Sequence, residues 1–160
     1  CNLTRDYGIT KVYVSAPNLT EIRNSSGLPV SSNGIWNYPA LLLLSEDSNE
    51  EDVFHTDGDF RVQVNCNSLN VVTNNLTNIF IEGTVNNLFV GFYSGNGRFE
   101  GADLVAQNIE FFHRGSNDMI LNPQLSITGE LRSTGDIILV NEPALIEVQT
   151  FYTGQLIIQN

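Results

Sequence analysis

One phrase recurs along this chain and limits the folds open to it more than any other feature. It consists of a small or polar residue, a glycine, sometimes an acid, and then alternating apolar residues. It is written YSGNGRFEG at 93–101, HRGSNDMIL at 113–121, STGDIIL at 133–139 and YTGQLII at 152–158. Gly95, Gly115 and Gly135 are spaced by 20 and 20, and Gly154 follows 19 further on. Asn75 stands 20 before Gly95, and asparagine is the usual substitute where a glycine takes positive φ. Four residues after these landmarks come Ile79, Phe99, Met119, Leu139 and Ile158. Sixteen after come Phe111, Leu131 and Phe151, with Gly91 interrupting that set.

Within each phrase the apolar residues alternate with period two, as in NIFIEG, NIEFF and DIILV, and β-branched and aromatic residues dominate. Bounded by Gly, Asn and Pro, such runs read as short strands, and no window carries a helical stripe. An antiparallel sandwich gives no reason for offsets to recur at 20, whereas a solenoid does. The fold expected is therefore all-β: a right-handed, single-stranded parallel β-helix with one repeat per coil. Handedness follows the general preference of parallel crossovers. Eight coils of about 20 residues stacked at the strand spacing give a rod of about 40 Å. In this reading Asn75, Gly95, Gly115, Gly135 and Gly154 share one turn column. Asp118 and Asp136 bond the backbone of their own turns, as Asx turns do. The 20 asparagines suit turns whose amides bond one another along the axis.

The chain reads as a single domain, 1–160, with regular coils over 55–160 and a less regular N-terminal part over 1–54. ALLLL at 40–44 reads as a buried strand, and the five acids between Glu46 and Asp52 as a loop leaving the coil. Tyr7 and Trp36 are candidate lids, because the terminal repeats of a solenoid must close its core.

Charge excludes several partners. A net charge of −11, with one Lys and six Arg, speaks against nucleic acid and against docking on an anionic membrane through a basic patch. It also supplies few cations for an anionic polysaccharide. His55 and His113 have no metal-ligand spacing, the acidic run 46–52 lacks the EF-hand order of calcium ligands, and no nucleophile elbow is present. No metal, cofactor or catalytic residue is assigned. Asp118 and Asp136, if in adjacent coils, offer the one carboxylate pair that glycoside chemistry could use. Cys66 reads as a small buried residue. Cys1 is open to three readings: a lipid-anchor cysteine with a polar tether behind it, a disulfide partner of Cys66, or a plain chain boundary. The sequons at Asn2, Asn18, Asn24 and Asn75 carry weight only in a secreted eukaryotic protein.

Three stretches, HTDGDFRVQVNCNSLNVVTNNLTNIFIEG, SGNGRFEGADLVAQNIEFFHRGSNDMIL and STGDIILVNEPALIEVQTFYTGQLI, resemble the head GIN domain family. That family's Ser-Gly-Ser-Gly-Asp phrase stands here in altered form as Ser94-Gly95-Asn96-Gly97, Gly115-Ser116-Asn117-Asp118 and Thr134-Gly135-Asp136. The resemblance covers about 55–160 and the first 54 residues loosely. It implies a secreted or lipoprotein-anchored β-helix of the bacterial envelope, on the outer membrane or beyond, with Cys1 as lipid anchor. It implies no catalytic residues. The expected function is a non-enzymatic surface module for adhesion, binding or structure, its partner a glycan or a surface protein. The alternatives are a polysaccharide-active lyase or hydrolase, or a carbohydrate-binding module.

Overall fold

The fold is seen in a computed structural model, which describes residues 10–46 and 56–159. Among these there is no helix. Nine strands run in chain order: β1 Glu21–Arg23, β2 Val30–Ser45, β3 Phe60–Asn75, β4 Ile79–Gly95, β5 Phe99–His113, β6 Met119–Leu131, β7 Ile137–Leu139, β8 Leu145–Thr150 and β9 Leu156–Ile158. Each pairs with the next coil and every pairing is parallel. The result is a β-solenoid of about seven turns with coils of about 19 residues, slightly fewer and shorter coils than the glycine spacing predicts.

Alternation explains why each coil closes on a core. In β3 the side chains of Phe60, Val62, Val64, Cys66, Leu69 and Val71 point inward, and polar residues between them point out. In-register stacking turns each inward position into a column, for example Phe60, Ile79, Phe99, Met119 and Ile137, every one fully buried. Burial of such side chains supplies about 1.5–3 kcal/mol each. β6 pairs with both β7 and β8 because the sixth coil is broken between Leu139 and Leu145, where Pro143 removes a ladder donor.

Parallel pairing begins at Glu21, well inside the stretch that reads as irregular. ALLLL lies in β2, with Leu41, Leu43 and Leu44 buried. The register jumps 30 positions from Val30 to Phe60 but 19 from Phe60 to Ile79, so the surplus falls around the acidic run. Glu46 there accepts from Arg23 at 3.2 Å; the rest of that run, His55, Tyr7 and Cys1 lie outside the described residues. Trp36 stands in the first full coil, partly buried against the core.

The strand register also corrects the column assignment. Phe99 pairs with Met119, 20 on, but Met119 pairs with Ile137, only 18 on. The inward apolar residues set the stacking, so Gly135 slips two places out of the column of Gly95 and Gly115. Leu139 and Ile158 likewise stack on Leu121, one inward position further along than Ile79, Phe99 and Met119. Phe111 stacks on Gly129 rather than Leu131, and Phe151, half exposed, lies under the Arg132 guanidinium at 3.9 Å.

Candidate functional site

The landmark residues build one corner of the solenoid, in two adjacent columns. The first holds Asn75, Gly95, Gly115 and Ser133, joined by Asn96 N–H to Asn75 O at 2.7 Å, Ser116 N–H to Gly95 O at 2.9 Å, and the Ser133 hydroxyl donating to Gly115 O. The second holds Thr77, Gly97, Asn117, Gly135 and Gly154. There a Cβ on Gly135 would stand 2.1 Å from Asn117 O, and one on Gly154 would stand 2.3 Å from Gly135 O. Of the predicted landmarks only Gly95, at φ 88°, occupies the left-handed region; Asn75, at φ 158°, is close to extended.

One position after the second column runs a ladder, where the sequence alone predicts bonds within each local turn. Asp118 Oδ1 accepts the N–H of Asp136 at 2.9 Å, and Asp136 Oδ1 accepts that of Gln155 at 2.8 Å. Asp59 and Asn78 do the same three and two coils before Asp118, accepting from Asn78 N–H at 3.3 Å and Arg98 N–H at 3.1 Å. Each side chain thus satisfies a backbone donor of the next coil rather than of its own turn, because the stacked corners bring that donor nearer. Asp118 is committed twice, since its Oδ2 meets Arg98 Nη1 at 3.1 Å. Bonding to Glu100 and Asp118 holds the Arg98 guanidinium above its ordinary pKa despite partial burial. Asp118 and Asp136 are therefore brought into adjacent coils, as expected, with Asp118 fully employed in holding structure.

His113 is buried at the end of β5, edge-on to Phe92 with centroids 6.2 Å apart. Its Nε2 donates to Asn117 O at 2.7 Å, and Nδ1 has no partner among the described residues. Burial pushes its pKa below 6.5, outweighing the Asn117 bond and the nearby Asp118 charge. The unfolded chain then binds the proton more readily than the fold, so stability is full above the ordinary imidazole value and falls as pH drops below it. Wild type should lose stability relative to His113→Gln between pH 7.5 and 5.5 in urea titrations. An identical pH dependence in the two proteins would show that His113 is not buried neutral. Cys66 is a buried free thiol, and burial raises its pKa against a hydrogen bond to the Tyr38 backbone.

On the surface, register breaks at Ser31/Ile35, Phe80/Gly83 and Glu100/Val105 coincide and open a groove of about 480 Å³. Arg61 lies over the Phe80 ring at 4.0 Å beside Glu82, Glu100 and Asp103. Bulges re-aim side chains in this way, and nothing in the local sequence marks the groove, since four separate coils form it. Among the described residues no group of His, Cys, Asp and Glu could hold a metal ion.

A family model described as "Putative auto-transporter adhesin, head GIN domain" matches residues 2–143. That match starts far earlier than the resemblance read from the repeats and stops before the last coil. No curated protein and no solved structure matches the sequence.

Proposed function

Since the chain belongs to the head GIN domain family, we propose that it is a non-enzymatic module of the cell surface or envelope. It works by presenting the outward columns of its solenoid to a partner. The observation that carries this reading is the use made of the corner acids. Asp118 and Asp136 accept backbone N–H groups across coils, and Arg98 engages Asp118. A general acid or nucleophile needs a carboxyl free to meet substrate. Stacked coils supply extended binding surface without a closed pocket. Outer-membrane attachment through a lipid on Cys1 belongs to the same proposal, and loss of palmitate labelling in Cys1→Ser would be its signature.

The test combines an array of glycans and surface proteins with an assay for glycan cleavage. Wild type should bind at least one class and cleave none, and Asp136→Asn should bind as wild type does. Cleavage by the wild type that disappears in Asp118→Asn or Asp136→Asn would overturn the reading and favour a polysaccharide-active enzyme.

A further inference from the structure

The outward columns of the solenoid differ in one respect. Where polar residues stack, most satisfy one another: Asn65 Nδ2 donates to Asn37 Oδ1 at 2.9 Å, and the Thr84 hydroxyl donates to Asn65 Oδ1 at 3.0 Å. Likewise Asn108 Nδ2 donates to Asn87 Oδ1 at 3.3 Å, and the Ser126 hydroxyl donates to Asn108 Oδ1 at 2.9 Å. The column two positions on from the second ladder runs Asn70, Phe89, Glu110, Thr128 and Glu147 in register. Its polar side chains make no hydrogen bond or ion pair among the described residues. They point outward with their donors and acceptors available.

Beside this column stands an aromatic surface. Phe89, Gly91 and Tyr93 alternate onto the outer face of β4, and Phe112 of β5 is the register partner of Gly91. Tyr93 and Phe112 stack with centroids 5.1 Å apart and planes at 27°. The rings close over Gly91, where a Cβ would meet Tyr93 Cε2 at 2.9 Å and Phe89 Cε1 at 3.0 Å. Tyr93 remains 45% exposed. Phe89 also lines a depression of about 290 Å³ with Asn70, Glu110 and Thr128, and no cationic side chain among the described residues lines it.

From this geometry we propose that the face formed by Tyr93, Phe112, Phe89, Asn70, Glu110 and Thr128 binds an uncharged polysaccharide. The proposal rests on the surface-binding reading above and names the partner class. A sugar ring offers an apolar face and a rim of hydroxyls. The apolar face suits the exposed Tyr93 ring and the half-buried rings of Phe89 and Phe112 beside it, which are large, rigid and cheap to order. The hydroxyl rim suits an amide, a carboxylate and a hydroxyl that have no partner among the described residues. Coils repeat at about 4.8 Å, so the free column runs along the axis as a linear chain of sugars would. The charge of −11 and the carboxylate of Glu110 repel polyanions.

The test measures retention of the intact protein, by affinity electrophoresis and calorimetry, on three kinds of probe. The neutral probes are cellohexaose, xylohexaose, mannohexaose and dextran; the anionic ones are polygalacturonate and heparin; the cationic one is polylysine. Binding to at least one neutral probe is expected. Tyr93→Ala and Phe112→Ala should each weaken it by about tenfold or more, Glu110→Gln should weaken it less, and Tyr152→Ala, exposed elsewhere, should leave it unchanged. Unaltered thermal midpoints show that the variants fold. Neutral binding indifferent to Tyr93 and Phe112, or binding to polyanion or polylysine alone, overturns this inference and leaves the surface-module reading standing. If no probe binds and the array of glycans and surface proteins is also blank, both fail together.

Discussion

Gly135→Ala is expected to lower the midpoint of thermal unfolding by about 6–12 °C, corresponding to a loss of about 3 kcal/mol. The new Cβ would sit 2.1 Å from Asn117 O and 2.5 Å from Asn117 C. Both are backbone atoms of the preceding coil, so no rotamer change relieves the clash and the two corners must separate. Separation strains the bonds that Asp136 N–H and Gly154 N–H make to the coil before. Gly115→Ala provides the contrast. Its Cβ would first meet His113 Cε1 at 3.3 Å, a contact that a small ring shift relieves, and the cost should stay near 1 kcal/mol or below. Calorimetry on the two variants therefore separates a position blocked by backbone from one that is not. Equal losses at both positions would show that the Asn117 carbonyl does not stand against Gly135.

A second large effect is expected at Phe111. The residue is 2% exposed, and its truncation to alanine should cost about 3–5 kcal/mol by leaving a cavity that parallel neighbours on both sides cannot fill. Phe151 stands 20 and 40 residues on from Leu131 and Phe111, but it is 50% exposed beneath Arg132. Phe151→Ala should change stability by about 1 kcal/mol or less. Urea unfolding of the two variants reads this difference directly. A comparable loss at Phe151 would mean that the last coil packs differently from the register given by Ile137 and Leu156.

These contrasts show where the sequence is legible. Period-two alternation and a recurrence near 20 disclose a parallel solenoid, because both arise from side chains packed on the core. The slip at Met119–Ile137 is invisible because the turn phrases look alike on either side of it. Glycine is required at Gly95 by a left-handed φ of 88° as well as by a backbone carbonyl 2.0 Å from its would-be Cβ, and at Gly135 by a backbone carbonyl at 2.1 Å alone. One residue type thus answers two different demands, and spacing cannot tell them apart. The inter-coil role of Asp118 and Asp136 was missed for a related reason, since an acid after a turn glycine is equally at home bonding its own turn. The aromatic face was harder still to foresee. Phe89, Tyr93 and Phe112 come from two coils and are interleaved with the core residues Phe92 and Phe111, so no contiguous motif marks them. Which asparagines bond each other and which stay free depends on stacking that only register supplies.

The ladder of one coil on the next also governs the order in which the molecule comes apart. Each strand pairs only with the coil before and the coil after, so closing any coil costs much the same loop entropy and rewards only its two neighbours. The central rungs β3, β4 and β5 are 15 to 17 residues long, while β1, β7 and β9 have three each. Opening therefore starts as fraying at the end rungs and moves inward. Amide protons of β9 exchange at free energies far below those of β4. The platform of Tyr93 and Phe112 sits on the part of the molecule that opens last, and it keeps its shape while the end of the rod breathes.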